Sequence, residues 1–143
     1  MQRQLLAVIV GVAVTTFVGV AQSGQISSEE DYDAAMKDVG ATFRALQSDM
    51  EARDGEAALA GTAKLAGLFE RVQAFWTSHN VPAAAAIAAE ATGAANAITA
   101  AIESQAFQEI APAQETLAGT CQACHGEYRE RVDGNARIKP GVL

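Results

Sequence analysis

The chain is short of basic residues, of aromatic residues and of cysteine. Its 143 residues contain 10 Lys and Arg against 17 Asp and Glu, which gives a formal net charge of −7 at pH 7. This balance argues against nucleic acid or an anionic membrane as a partner, and it is compatible with a basic protein partner. β-branched and aromatic runs are scarce after residue 21, whereas alanine is abundant there. We therefore expect a helical protein.

Motifs of the common enzyme classes are also lacking. The sequence shows no Ser-His-Asp arrangement, no paired catalytic carboxylates and no phosphate-binding loop. We therefore expect that the protein is not an enzyme.

A long apolar run opens the sequence. Arg3 precedes apolar residues 5–20, and the small residues Gly19 and Ala21 suit the −3 and −1 positions of a cleavage site. This pattern predicts a secretory signal peptide over residues 1–21. The run is also close in length to the roughly 20 residues that span a bilayer, so a retained membrane anchor is the alternative. We expect contact with a membrane only if this segment is retained. Under both interpretations residues 22–143 are exported, which predicts a periplasmic location.

The exported part fits one domain with four helices. Arg3 is the only charged residue of the first 21, so residues 22–143 carry a formal net charge of −8. A first helix is predicted to begin at Ser27 or Ser28, where Glu30 or Asp31 stands at the capping-box spacing. Its apolar positions recur at steps of three and four, as in a packed bundle helix. They are Met36, Val39, Phe43, Leu46 and Met50.

Three more helical segments follow after short breaks. The second is expected from about Glu56 to Ser78, and the third from Pro82 to about Ser104. The fourth is expected to end near Val132, and Pro112 either stands in its first turn or kinks a helix begun near residue 105. Four helices of similar length with short connections predict an all-α fold, an antiparallel up-down four-helix bundle.

The only two cysteines stand in one unit, TCQACHGEYR, at residues 120–129. On a helix, Cys121, Cys124 and His125 occupy positions i, i+3 and i+4 and project from one face. C-x-x-C-H is the attachment motif of a c-type haem, in which the cysteines form thioethers and the histidine ligates iron. This predicts one covalent haem c.

Three other roles for the unit are less consistent with the pattern. A thioredoxin-like dithiol needs its cysteines at a helix N-terminus after a strand. A zinc site needs four ligands, and only His79 and scattered carboxylates remain to complete one. A structural disulfide is allowed in an exported protein, but it leaves His125 without a role.

With these residues in view, the chain resembles the class II c-type cytochromes, the cytochrome c′ superfamily, over roughly residues 29–131. The late position of CQACHGEYR and the four preceding helices carry the resemblance. It implies a four-helix bundle with the haem attached to the last helix through Cys121 and Cys124, and His125 as the proximal iron ligand. It also implies that Arg129, at i+4 from His125 on the predicted helix, lies beside the haem.

The first helix carries the family's distal position, which Met36 matches. MKDVG resembles the methionine-ligated, low-spin branch of the superfamily, and this implies iron ligated by His125 and Met36 in an electron carrier with a redox protein partner. The alternative is a five-coordinate cytochrome c′ that binds NO or CO at its distal face. A peroxidase is disfavoured because the first helix has no distal His or Arg.

The sequence departs from the family at one position. Members of the family often carry an arginine one turn before the distal residue, and Tyr32 occupies that position here. We therefore expect the haem propionates to be held differently, for example through the Tyr32 hydroxyl. The resemblance also allows a homodimer through the first two helices.

Overall fold

The computed structural model describes residues 24–143, and most of them are helical. The helices are α1 (Glu29–Glu51), α2 (Gly55–Ser78), α3 (Pro82–Glu103) and α4 (Ile110–Tyr128), with a 3₁₀ turn at Phe107–Glu109 and two strands, β1 (Arg129–Val132) and β2 (Asn135–Ile138). The prediction of a mainly helical chain with four helices is confirmed. The predicted leader, residues 1–21, lies outside the described residues.

Side-chain caps fix the starts of the first two helices. The Ser28 hydroxyl accepts a hydrogen bond from the backbone N–H of Asp31 at 3.1 Å, as the capping pattern predicts. The Asp31 carboxylate accepts from both the backbone N–H and the hydroxyl of Ser27, and these bonds lower the pKa of Asp31. Asp54 caps α2 in the same way, since its carboxylate accepts from the N–H of Ala57 at 3.0 Å.

The first three helices end in one kind of turn. In each, the residue after the cap adopts the left-handed conformation, with φ of 59°, 58° and 59° at Arg53, Asn80 and Gln105. The next N–H then reaches back to a carbonyl of the last turn, as from Asp54 to Asp49 at 2.9 Å. This is the Schellman closure, and it reverses the chain within a few residues.

The helices pack in sequence order around a core of leucine, phenylalanine and alanine. α1 packs on α2, α2 on α3 and α3 on α4, whereas the backbones of α1 and α4 do not pack closely together. By length and composition α3 is apolar enough to span a bilayer, with a mean hydropathy of 1.3, but its buried alanines pack against its neighbours. The largest fully buried side chains are Trp76, Phe75, Leu46, Leu65, Leu68, Ile98, Leu117 and Thr62.

The predicted end of the fourth helix, near Val132, is wrong. α4 ends at Tyr128, and Arg129 is extended, with φ −108° and ψ 138°. β1 and β2 pair antiparallel through a turn at Asp133 and Gly134, whose φ values are 51° and 83°. Asp-Gly with both φ positive is the preferred two-residue hairpin turn, so the chain turns back where the helix was expected to continue. The fold is therefore not purely helical, and residues 129–138 form a C-terminal hairpin.

The start of α4 decides between the two roles of Pro112. The helix begins at Ile110, so Pro112 stands in its first turn, where a backbone N–H has no helical partner in any case. The first-turn interpretation is thus confirmed over the kink.

The C-terminal hairpin folds back onto α1. Ile138 is buried at 9% exposure in a cluster with Tyr32, Ala35 and Trp76. The N–H of Lys139 donates to the carbonyl of Tyr128 at 2.9 Å, which ties the end of the hairpin to the end of α4. The hairpin therefore bridges α1 and α4, the two helices that do not pack closely on each other.

Candidate functional site

A cavity of about 440 Å³ extends between α1 and α4, and Cys121, Cys124 and His125 all line it. All three side chains are half-buried, because the i, i+3, i+4 spacing on α4 turns them to one side. The predicted common face is confirmed. The other helices contribute an apolar lining that includes Val39, Phe43, Phe69, Val72, Trp76, Ile87, Ala88 and Ala91.

Met36 lines the same cavity from α1, and Met50 does not. The Met50 thioether instead accepts a hydrogen bond from Gln114 Nε2 at 3.2 Å, beside a second cavity of about 910 Å³ at the other end of the helices. Both methionines stand at seam positions in the sequence, so their spacing does not distinguish them. The structure does, because only Met36 shares a cavity with Cys121, Cys124 and His125.

Burial raises the pKa of both thiols. At Cys124 the neighbouring Cys121 thiol raises the pKa further, while a hydrogen bond with Tyr32 and the charge of Arg129 act in the opposite direction. Both cysteines are free. A dithiol that works as a redox catalyst has a lowered thiol pKa, so the environment on α4 argues against that role.

The surroundings of His125 favour the neutral form of its imidazole. Burial lowers its pKa, and the positive charges of Arg129 and Arg131 lower it further. A neutral imidazole is the form that ligates a metal. His79, by contrast, is exposed at the C-cap of α2, and its Nδ1 lies 2.8 Å from the carbonyl oxygen of Phe75.

Aromatic side chains form the wall next to Cys124. The indole N–H of Trp76 donates to the hydroxyl of Tyr32 at 3.2 Å, and the two rings meet edge to face at 5.4 Å. Tyr128 also lies beside Trp76, with ring centroids 5.5 Å apart. Burial raises the pKa of Tyr32, so this hydroxyl stays protonated. Trp76 belongs to the core, since it is 1% exposed, and it also lines the cavity.

Arg129 lines the cavity, but not for the reason that the sequence suggested. The i+4 spacing from His125 required a continuous helix, whereas Arg129 is the first residue of β1. The strand direction brings its side chain to the cavity instead. Ala136, Arg137 and Ile138 reach the same cavity from β2, and they are not among the site residues predicted from the sequence. The DG pair between RERV and NARI was the signal for this hairpin.

Comparison of the chain with protein families, with curated proteins and with solved structures gave no match.

A metal site built from side chains alone is not found in the part of the chain that the structure describes. Across residues 24–143, no three His, Cys, Asp or Glu side chains come together in a group that could hold a metal ion.

Proposed function

We propose that this protein is an exported monohaem c-type cytochrome that carries electrons, with one haem c attached to the last helix of a four-helix bundle. The cavity between α1 and α4 is the observation that supports this most. Its α4 side carries Cys121, Cys124 and His125, and its α1 side carries Met36. These are the side chains that a His/Met-ligated c-type haem requires. The sequential packing of the helices and their short turns favour the up-down topology.

The cavity suits a cofactor that is large and mostly apolar. Its volume of about 440 Å³ falls within the range of roughly 300–1,000 Å³ that small-molecule and cofactor pockets occupy. Val39, Phe43 and Phe69 are among the apolar side chains that would exclude water from it. When bound, haem iron supplies one-electron chemistry by changing between its ferric and ferrous states.

Each polar residue has a distinct role in the proposal. Cys121 and Cys124 would each add a thiol across one vinyl group, which holds the haem by two thioether bonds. His125, whose half-buried position favours the neutral imidazole, would ligate the iron, and Met36 would supply a second protein ligand. Arg129 would face the propionates, since it lines the cavity and its guanidinium suits a carboxylate. The hydroxyl of Tyr32 accepts the Trp76 hydrogen bond and keeps its own proton to donate, so it is a second candidate for that contact.

Covalent attachment is the property to test first. We expect the protein exported from a cell that matures c-type cytochromes to gain the mass of one haem, and to keep it through acid-acetone extraction. The double variant Cys121→Ala/Cys124→Ala should lose it, because no thioether remains. His79→Ala is the matched control, since His79 is exposed and away from the cavity. Haem retained by the double variant, or absent from the wild type, would refute the proposal.

A five-coordinate cytochrome c′ that binds NO or CO is the second candidate. The apolar side chains around Met36, among them Val39 and Phe43, favour it because they would suit a diatomic gas if the thioether stayed off the iron. An optical spectrum distinguishes the two proposals. Low-spin iron supports the electron carrier, and high-spin iron supports the gas binder.

Location and partners form the remaining part of the proposal. The predicted leader favours a periplasmic location. The formal net charge of −8 on residues 22–143 favours long-range attraction to a basic redox protein, so electron exchange should slow as salt rises. A homodimer through α1 and α2 is a separate expectation, and sedimentation of the purified protein tests it.

A further inference from the structure

The charges of this acidic chain are unevenly distributed. Nine basic residues follow the leader, and four of them lie between residues 129 and 139. With two acidic residues, this segment has a formal net charge of +2. Residues 22–128 have five basic and fifteen acidic residues, a formal net charge of −10. The four basic residues of the C-terminal segment are Arg129, Arg131, Arg137 and Lys139.

This basic segment lies at the cavity that contains His125. Arg129 and Arg137 line the cavity. Arg131 is exposed, stands two residues after Arg129 on β1, and pairs in register with Ala136, which also lines the cavity. Because alternate strand residues share a face, Arg129 and Arg131 stand on the same side of the hairpin.

Much of this positive charge is free of an acidic partner. Within residues 24–143, Arg137 pairs with Glu130, while the Arg131 guanidinium donates only to the carbonyl of Gly134 at 3.2 Å. Arg129 forms no ion pair in the described part of the chain, but the proposed function assigns its guanidinium to the haem propionates. The exposed Arg131 guanidinium keeps a charge without an acidic partner there, and such a charge is available to a second molecule.

The α1 side of the same cavity carries the opposite sign. Glu29, Glu30 and Asp33 line it, and only Asp33 has a cationic partner on α1, Lys37 at 2.6 Å. The edge of the cavity therefore has a basic side on the C-terminal hairpin and an acidic side on α1. A partner that approaches this edge meets both signs within a single contact area.

We propose that the C-terminal hairpin is a docking surface for an acidic patch on the redox partner, and that the acidic side of α1 meets basic residues of the same partner. This inference rests on the proposed function. Opposite signs on the two sides fix one orientation, because a rotated partner brings like charges together. An extended anionic surface such as a membrane fits poorly, since it would also face Glu29, Glu30 and Asp33. A patch of carboxylates on a protein matches the hairpin, whose four-residue strands are about 13 Å long.

Paramagnetic probes that need no haem can locate the two sides. We expect hexacyanochromate(III), a redox-inert trianion, to broaden amide NMR signals of residues 129–139. Hexaamminechromium(III), a trication, should broaden those of residues 29–33. If hexacyanochromate(III) broadened the amide signals of other arginines, such as Arg44 and Arg71, as much as those of the hairpin, the inference would be overturned.

Charge reversal gives the matched test. Arg131→Glu changes the hairpin charge by two units. For a trianion held roughly 8 Å away at 0.1 M salt, this should weaken anion binding about tenfold. Arg53→Glu makes the same change in net charge at the opposite end of the helices, beside the second cavity, and should leave binding at the hairpin nearly unchanged. Equal effects of the two variants would overturn the inference, because net charge alone would then explain binding.

Electron exchange separates this inference from the proposed function. If the protein carries haem, its oxidation by hexacyanoferrate(III) should slow about tenfold in Arg131→Glu and little in Arg53→Glu, because this oxidant is also a trianion and meets the same change of charge at the hairpin. A protein that lacks haem but shows the expected NMR broadening refutes the electron carrier and leaves the anion-binding surface in place. A haem protein without hairpin broadening refutes the docking surface alone. Tight binding of the hairpin to vesicles of anionic lipid that is lost in Arg131→Glu would overturn the protein partner and identify a membrane as the docking surface's target.

Discussion

Met36→Ala is the variant that most sharply tests which residue faces the iron, and Met50→Ala is its natural control. Both methionines lie on the seam of α1, both are half-buried, and both line a cavity. They differ in that only the Met36 cavity contains Cys121, Cys124 and His125. A ligand role therefore predicts a spectroscopic change in one variant alone, whereas a packing role predicts the same modest change in both.

The structure sets the size of the packing effect. A fully buried Met→Ala change costs about 2–5 kcal/mol in the free energy of unfolding. Each methionine borders space that is already empty, so we expect a cost near the lower end, about 2 kcal/mol, in both variants. Loss of an iron–sulfur bond adds to that cost at Met36 only. It should also raise the affinity for CO by at least about tenfold, which corresponds to about 1.4 kcal/mol, because CO no longer competes with the thioether.

The assay is an optical titration with CO of the two reduced variants and the wild type, together with guanidinium unfolding of each. We expect low-spin iron and weak CO binding in the wild type and in Met50→Ala, and high-spin iron with tight CO binding in Met36→Ala. Identical spectra and CO affinities in the two variants would refute the ligand role of Met36. A wild type that is already high-spin would transfer support to the gas-binding proposal.

Two further predictions concern local energetics. Gln105→Gly should raise the free energy of unfolding by about 1 kcal/mol, since glycine adopts the left-handed conformation without the steric cost that other residues bear. Asn80→Gly should raise it by less, because asparagine tolerates that conformation. Guanidinium unfolding checks both variants, as a higher midpoint with an unchanged slope of the free energy against denaturant concentration. The lowered pKa of Asp31 means that its contribution to stability is present above the unfolded value of about 3.9 and is lost as pH falls through the lower folded value. The difference in Tm between the wild type and Asp31→Asn should therefore shrink as pH falls from about 5 to about 2, and a constant difference would contradict the role of the Ser27 hydrogen bonds.

The helices could be predicted because their boundaries are encoded locally. Ser28 and Asp54 are side-chain caps, Pro82 begins α3, and the observed bounds lie within one or two residues of the expected ones for the first three helices. The common face of Cys121 and His125 also follows from helical spacing alone. Such features depend on neighbours a few positions apart, and a sequence shows those directly.

The C-terminal hairpin was missed because its decisive signal is brief and competes with a longer one. The preceding segment has a continuous helical pattern, and Gly134 by itself indicates only a stop. Asp133 and Gly134 together form a hairpin turn, which requires a strand on each side. The role of Arg129 was consequently assigned through the wrong backbone geometry. Met36 and Met50 show the complementary limit, since periodicity gives the face of a residue but not the cavity that this face meets.

The bridge between the C-terminal hairpin and α1 also has a consequence for the order of folding. The helices pack in sequence order, so their contacts close short loops and can form early. Ile138 meets the cluster of Tyr32 across 106 positions of sequence, and the entropy of closing so long a loop makes this contact one of the last to form. The cavity therefore stays open on one side while the helices assemble. A bulky group that bonds to Cys121 and Cys124, as the proposed function requires, would have to enter in that interval, before the hairpin packs against α1.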